Sequence, residues 1–356
     1  MNKTAKISCG QLLTLLLICR IFTLMTFVPL ISDGYSFSSR LIAAVISTLI
    51  QAVVVIPLIL LNKAYPGKTV TSVIAEKSRF WGYAASAAYL VFFLAYSTLA
   101  VLNFSRFLRI RFFNEENSIL MLFILLAVCV YCAHCGIEGL ARSSLMVLVI
   151  FLIMLVLITV SSAAEFDMMN FYTYGYENNL FSAVVEDIAR NSEITAAAFL
   201  IKNLKSRCKC GLFGLLASKL ALIELVTMLI ICVLGDYARL TDYPFMSVGS
   251  FSGTNLFQRN DALYLIVWTI TSVIAISLFI HISCGLIHEL IPALPCGNSA
   301  AALIVFGASS AAIIIGIDTS DINIFAVSAA AVIVFTGVIP LIVYLMRGKK
   351  KNEKNP

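Results

Sequence analysis

Ten runs of about 20 consecutive apolar residues follow one another along the chain, the spacing of membrane-spanning helices rather than of a soluble core. They lie at roughly 11–31, 41–61, 82–104, 118–136, 143–163, 181–201, 212–234, 262–287, 298–317 and 322–346. A helix rising about 1.5 Å per residue crosses a hydrocarbon core about 30 Å thick in that length. Only 12% of the 356 residues are charged and 60% are hydrophobic, whereas soluble domains average about 25% charged. The expectation is an all-α integral membrane protein with about ten transmembrane helices. The runs leave no room for a separate soluble domain, so 1–346 form one transporter-like transmembrane domain and 347–356 a basic tail. The first run is not a cleaved signal peptide, because it carries Arg20 and Pro29 and lacks a small-residue cleavage site.

Ten spans put both chain ends on one side, and Lys and Arg decide which. Segments on the side of the termini hold 16 of the 25 basic residues, including Lys63, Lys68, Lys77, Arg79, Arg142, Lys202 and those of the tail. Opposite segments hold 6: Arg40, Arg106, Arg109, Arg111, Arg239 and Arg259. The positive-inside rule places both termini in the cytoplasm. The tail RGKKKNEKNP reads as a solvated end within reach of anionic lipid, not as a nucleic-acid site. Cys19, Cys129, Cys132, Cys232 and Cys284 lie inside apolar runs, where Cys behaves as a small hydrophobe, so no disulfide framework is expected.

Intramembrane charge is confined to spans 1, 6 and 7. The stretch LFSAVVEDIARNSEITAAAFLI, Leu180–Ile201, is apolar at both ends. Its middle packs Glu186, Asp187, Arg190, Asn191, Ser192 and Glu193 into eight residues. Charge at bilayer depth is costly, so such groups face a bundle interior or a wet cavity. Glu186, Arg190 and Glu193, at i, i+4 and i+7, fall on one stripe of a helix. Two readings stand. One is an external loop followed by a helix starting near Ile194. The other is an interrupted membrane helix whose polar middle lines a site.

If the chain is two halves of five spans, about 11–163 and 181–346, spans 1 and 6 are equivalent. Five is odd, so the second half enters the membrane upside down. That 5+5 inverted repeat is the plan of many secondary transporters, with the ligand at midplane between broken helices. In span 1 the segment from Thr23 to Pro29 is either a break or an ordinary proline kink; Thr23 and Thr26 would bond freed carbonyls or a ligand. Arg20, about 13 Å into span 1 at 1.5 Å per residue, either snorkels or pairs with an acid of span 6 or 7. In span 7, Lys219 is near enough to the span end to snorkel, and Glu224 near midplane is read as paired or protonated.

Other patterns carry less. The run from Cys129 to Cys135, with Cys132 and His134, has metal-like spacing, but one rigid helix cannot wrap a tetrahedron, so packing is preferred. No P-loop, no GxSxG and no GxGxxG after a strand is present. No enzyme, cofactor or metal is expected. In span 3, Tyr89, Phe93 and Tyr96 recur at helical spacing and read as packing or as a gate.

The chain resembles the spore germination B-subunit family (GerAB) within the amino acid–polyamine–organocation permeases. The residues that carry the likeness run from Lys6-Ile7-Ser8 with Gln11, through Tyr65-Pro66-Gly67-Lys68-Thr69 and Gly136-Ile137-Glu138-Gly139-Leu140-Ala141-Arg142, to Asn191-Ser192-Glu193-Ile194. They continue with Asp242-Tyr243-Pro244-Phe245, with Leu256 to Leu263, and with Trp268. The resemblance implies a fold like the bacterial leucine transporter LeuT, with broken helices 1 and 6 and a bound amino acid or similar small nutrient. It implies a membrane subunit of a germinant receptor, in the spore inner membrane or bacterial cell membrane, with A and C subunits as partners. A Glu138–Arg142 pair is read as holding the turn between spans 4 and 5. Span 1 lacks the glycines that cradle a ligand carboxylate in amino acid permeases.

The candidate ligand-binding residues are Thr23, Thr26, Phe27, Tyr96, Arg190, Asn191, Ser192 and Glu193, with Thr271 and Ser272 behind them. Arg20, Glu186, Lys219 and Glu224 are candidates for proton carriage or charge pairing. Three functions share this fold: a ligand-sensing receptor subunit, a proton- or cation-coupled amino acid permease, and a scaffold with a vestigial pocket.

Overall fold

The computed structural model describes residues 6–26, 37–111, 118–171, 180–204, 211–251, 261–294, 297–315 and 322–352. Phe27, Pro29 and residues 256–260 lie outside them. The chain is an all-α membrane protein. Its helices are α1 (Cys9–Thr26), α2 (Phe37–Ala64), α3 (Val70–Ala75), α4 (Arg79–Arg111), α5 (Ser118–His134), α6 (Gly136–Ser161), α7 (Leu180–Ala189) and α8 (Ser192–Leu200). There follow α9 (Gly211–Leu234), α10 (Pro244–Phe251), α11 (Asp261–Leu290), α12 (Gly297–Ile315), α13 (Ile322–Ile333) and α14 (Ile339–Asn352). Among the described residues, 8 helices are long and apolar enough to cross a membrane. The other two predicted spans are α5, whose apolar stretch Leu120–His134 is shorter, and the split sixth span, α7 with α8.

The bundle is layered by what each helix meets. All 9 residues of α8 are buried, so this helix sees only protein, and 12 of the 18 in α1 are buried as well. In α6, Met146, Val149, Ile153, Val156 and Val160 are exposed; an apolar residue turned outward on a membrane helix faces lipid. α11 runs between the layers, with Tyr264, Trp268, Ile276 and Ile280 wholly buried.

Two elements escaped the sequence reading because neither is long enough to show periodicity. α3 is capped by Thr69, whose hydroxyl accepts the Ser72 N–H at 3.2 Å. It lies so close to α4 that a Cβ on Gly82 would stand 2.6 Å from Ala75 Cα. The tenth predicted span, α13–α14, contains a π-helical turn, Val334–Val338, of a kind that often marks function. The tight α5–α6 turn needs Gly136, whose φ is 77°.

At one end of the bundle the N-terminal segment is strapped down. The Ile7 N–H donates to Asn203 O at 2.9 Å, making an isolated parallel bridge with Leu204 beyond α8. Glu138 accepts the Lys6 N–H at 3.3 Å instead of holding Arg142. Cys9 is disulfide-bonded, while the six other described cysteines are free thiols.

Candidate functional site

The sixth span is interrupted, and the external-loop reading fails: α7 is already helical at Leu180, and only Arg190 and Asn191 separate it from α8. Helix ends leave backbone groups unsatisfied, and in a bilayer each needs a protein partner. The break is accordingly over-supplied. Tyr96 donates its hydroxyl to Ala189 O at 2.7 Å and lies 3.3 Å from Ser328 O. Arg20 Nη1 donates to Arg190 O at 3.3 Å. The Asn191 amide donates to Asp187 O. α1 also ends at an anchored terminus: Tyr264 donates to Met25 O, and Trp268 Nε1 donates to Thr26 Oγ1 at 2.9 Å.

The break undoes the expected stripe of Glu186, Arg190 and Glu193. Glu186 and Arg190 remain on α7's side and pair with each other, and Arg40 Nη1 of α2 binds the same carboxylate at 2.7 Å. Asp187 takes the Arg20 guanidinium and the Ser47 hydroxyl. Glu193, on the first turn of α8, turns the other way. Its Oε1 lies 3.8 Å from Lys219 Nζ. Lys219 also donates to Asn191 Oδ1 at 2.6 Å and to Gln51 Oε1. Lys219 does not snorkel: it is 1% exposed, because three oxygens from α2 and from the break hold its ammonium inside. Arg20 likewise pairs rather than snorkels. Glu224 stands apart from this network, half-buried, with Oε1 lacking a hydrogen-bond partner among the described residues.

Beside the break lies a narrow cavity of about 60 Å³. It is walled by α1, α4, the break, α11 and α13. Its polar lining is Thr23, Tyr96, Asn103, Arg190, Ser192 and Ser328, and its apolar lining includes Phe22, Phe279 and Phe325. The Arg190 guanidinium carbon lies 5.2 Å from the centroid of the Phe325 ring, a cation–π distance. A sequence profile described as spore germination protein matches residues 6–324, from the N-terminal strap into α13. The chain belongs to the spore germination protein family. No curated protein matches the chain.

In this spore germination protein the predicted residues divide. Thr23, Tyr96, Arg190 and Ser192 meet at the cavity, whereas Asn191 and Glu193 face Lys219. Thr26 is taken up by Trp268 and by its own bond to Phe22 O at 2.7 Å. Phe27 lies outside the described residues. Thr271 and Ser272 bond to the backbone of their own helix, at Trp268 O and Thr269 O. Tyr89 and Phe93 pack edge-on against Phe199, so of the aromatic stripe only Tyr96 reaches the cavity. Among the described residues no group of three or more His, Cys, Asp or Glu is arranged to hold a metal; Cys129 is buried, and His134 Nδ1 meets Asn298 Nδ2 at 3.3 Å.

The sequence reading missed Arg40, Ser47 and Gln51. Arg40 was counted as a loop charge but is 6% exposed inside α2. Its signal was its place at the start of an apolar run, opposite the unbalanced acids of span 6. Ser47 and Gln51, one turn apart in that run, are the polar residues of a face that reads i, i+4.

Proposed function

We propose that this chain is the membrane subunit of a spore germinant receptor. It binds an amino acid or similar small nutrient in the cavity beside the break of span 6 and signals through partner A and C subunits. The reading takes the fold as a LeuT-like 5+5 inverted repeat with both termini in the cytoplasm and the protein in the spore inner membrane. The observation that carries it is the meeting of five elements, α1, α4, the α7–α8 break, α11 and α13, at one small recess with few polar groups; small-molecule sites run to about 300–1,000 Å³, so the ligand-bound form has to open this recess further. Arg190, which lines that recess, belongs to a network in which four basic side chains (Arg20, Arg40, Arg190, Lys219) stand against three acids (Glu186, Asp187, Glu193), a balance that suits a ligand bearing a carboxylate. Occupancy signals only so far as the ligand favours one arrangement of α7 and α8 over another.

The test is thermal unfolding of the purified protein against a panel of amino acids, nucleosides and sugars. A ligand at 100 times its dissociation constant stabilises by about 2.7 kcal/mol. The shift is expected with an amino acid and lost in Thr23→Val/Ser192→Ala. A shift unchanged in that variant, or none with any compound, overturns the proposal. The buried Lys219–Glu193 pair favours a second reading, a proton- or cation-coupled amino acid permease. Vesicle uptake of labelled amino acid that is abolished in Glu193→Gln supports that alternative, and absence of uptake by the parent protein removes it.

A further inference from the structure

A second recess lies where α3, the first turns of α4 and α14 meet. It has a volume of about 500 Å³, and its walls include Ile74, Ala85, Ile342 and Met346. Gly82 lets α3 lie directly on α4 beside it. The mouth has a different chemistry. Lys77 sits on the rim and donates to Val343 O at 3.3 Å. Arg79 is exposed in the first turn of α4. Beyond Met346 the α14 backbone stays helical to Asn352, through the sequence Arg347-Gly348-Lys349-Lys350-Lys351. The nearby Glu76 is neutralised by Lys68.

Aromatic residues mark the depth. Trp81, in the groove wall, is 65% exposed, with Phe80 and Tyr83 exposed beside it. Exposed Trp and Tyr gather where hydrocarbon meets headgroups. The groove therefore opens at the bilayer boundary, apolar within and basic at its mouth. Basic pockets between membrane helices match anionic lipid headgroups. We propose that this groove is a binding site for one anionic phospholipid, its acyl chain between α4 and α14 and its phosphate on Lys77 and Arg79.

The groove also touches the machinery of the break. Its wall residue Ile339 directly follows the π-helical turn. In that turn Phe335 O accepts the Tyr89 hydroxyl at 2.7 Å, and the Thr336 hydroxyl lies 2.7 Å from that of Thr195 in α8. A lipid seated against α14 is one turn from a contact with α8.

Trp81 supplies the assay. The full chain is reconstituted in vesicles, and tryptophan emission is quenched with phosphatidylglycerol or phosphatidylcholine brominated on the acyl chain. Trp268 is wholly buried, and the Trp81→Phe variant identifies the quenching that belongs to the groove. Phosphatidylglycerol is expected to quench with about thirty-fold preference, the equivalent of about 1 kcal/mol for each of the two basic side chains near the surface. The preference is expected to fall to about five-fold in Arg79→Gln, an exposed position, and in Lys77→Gln. It is also expected to vanish in Ala85→Phe, which fills the groove. Equal quenching by the two lipids means ordinary boundary lipid and overturns the proposal. A preference unchanged by all three substitutions places the lipid elsewhere and overturns it as well.

Discussion

Replacing Asp187 by leucine tests the buried charge network most directly. Arg20 is 4% exposed and Asp187 9%, so neither is rescued by water. Asp187→Leu leaves Arg20 with its bond to Arg190 O but no carboxylate, and leaves the Ser47 hydroxyl facing an apolar side chain. Breaking a buried ion pair from one side costs about 3–5 kcal/mol, a rise in the unfolded fraction from roughly a hundred-fold to several thousand-fold. Arg20→Leu strands the carboxylate instead and is expected to cost a similar amount. The double variant Arg20→Leu/Asp187→Leu removes both charges, and a buried pair replaced by apolar residues is close to neutral. It still orphans Arg190 O, a loss of about 1–3 kcal/mol for a buried polar group. The double variant is therefore expected to be more stable than either single one. Equilibrium unfolding in mixed micelles, followed by circular dichroism, measures all four proteins. Additive losses, or single losses below about 1 kcal/mol as for a solvent-screened pair, would refute the reasoning.

Three further outcomes follow from the same contacts. Tyr96→Phe removes the hydroxyl that serves Ala189 O at the break and is expected to cost about 1–3 kcal/mol; a change within experimental error in the same unfolding assay counts against a capping role. Lys219→Met leaves Gln51, Asn191 and Glu193 facing one another without the ammonium that joins them. Its expected cost is about 3–5 kcal/mol, recovered in part by adding Glu193→Leu, and no recovery would show that the two side chains are not coupled. Gly82→Ala puts a methyl 2.6 Å from Ala75 Cα and is expected to cost about 1–3 kcal/mol by overpacking. Hydrogen exchange should then rise across residues 70–78, and unchanged protection there would sink the close-approach argument.

The break in span 6 was legible because six polar residues inside an apolar run have few places to go in a membrane. Arg20 was legible for the same reason, although its choice of Asp187 over Glu193 or Glu224 depends on tertiary geometry. Glu193 was misassigned to the Glu186 stripe because helical periodicity was carried across residues that are not helical. The snorkelling of Lys219 was a one-helix argument; what holds it inside is an uncharged residue of α2, Gln51, which no pattern in span 7 announces. Counting Arg40 as a loop charge failed in the same way, since its partner Glu186 is 146 residues away. α3, at 6 residues, is too short for any period to show.

The main-chain bridge between Ile7 and Leu204 gives α1 a mechanical character. The far end of α1 is pinned to α11 through Tyr264 and Trp268, while its near end is tied to the exit of α8. α1 is thus held at both ends, by α11 at Thr26 and by the exit of α8 at its start. A tilt of α8 about Arg190 and Asn191 must drag the near end of α1 with it or tear the bridge open. The tie is made of backbone atoms, so most side-chain substitutions at 7, 203 or 204 leave the linkage in place, whereas Ile7→Pro, which removes the donating N–H, would uncouple the two helices.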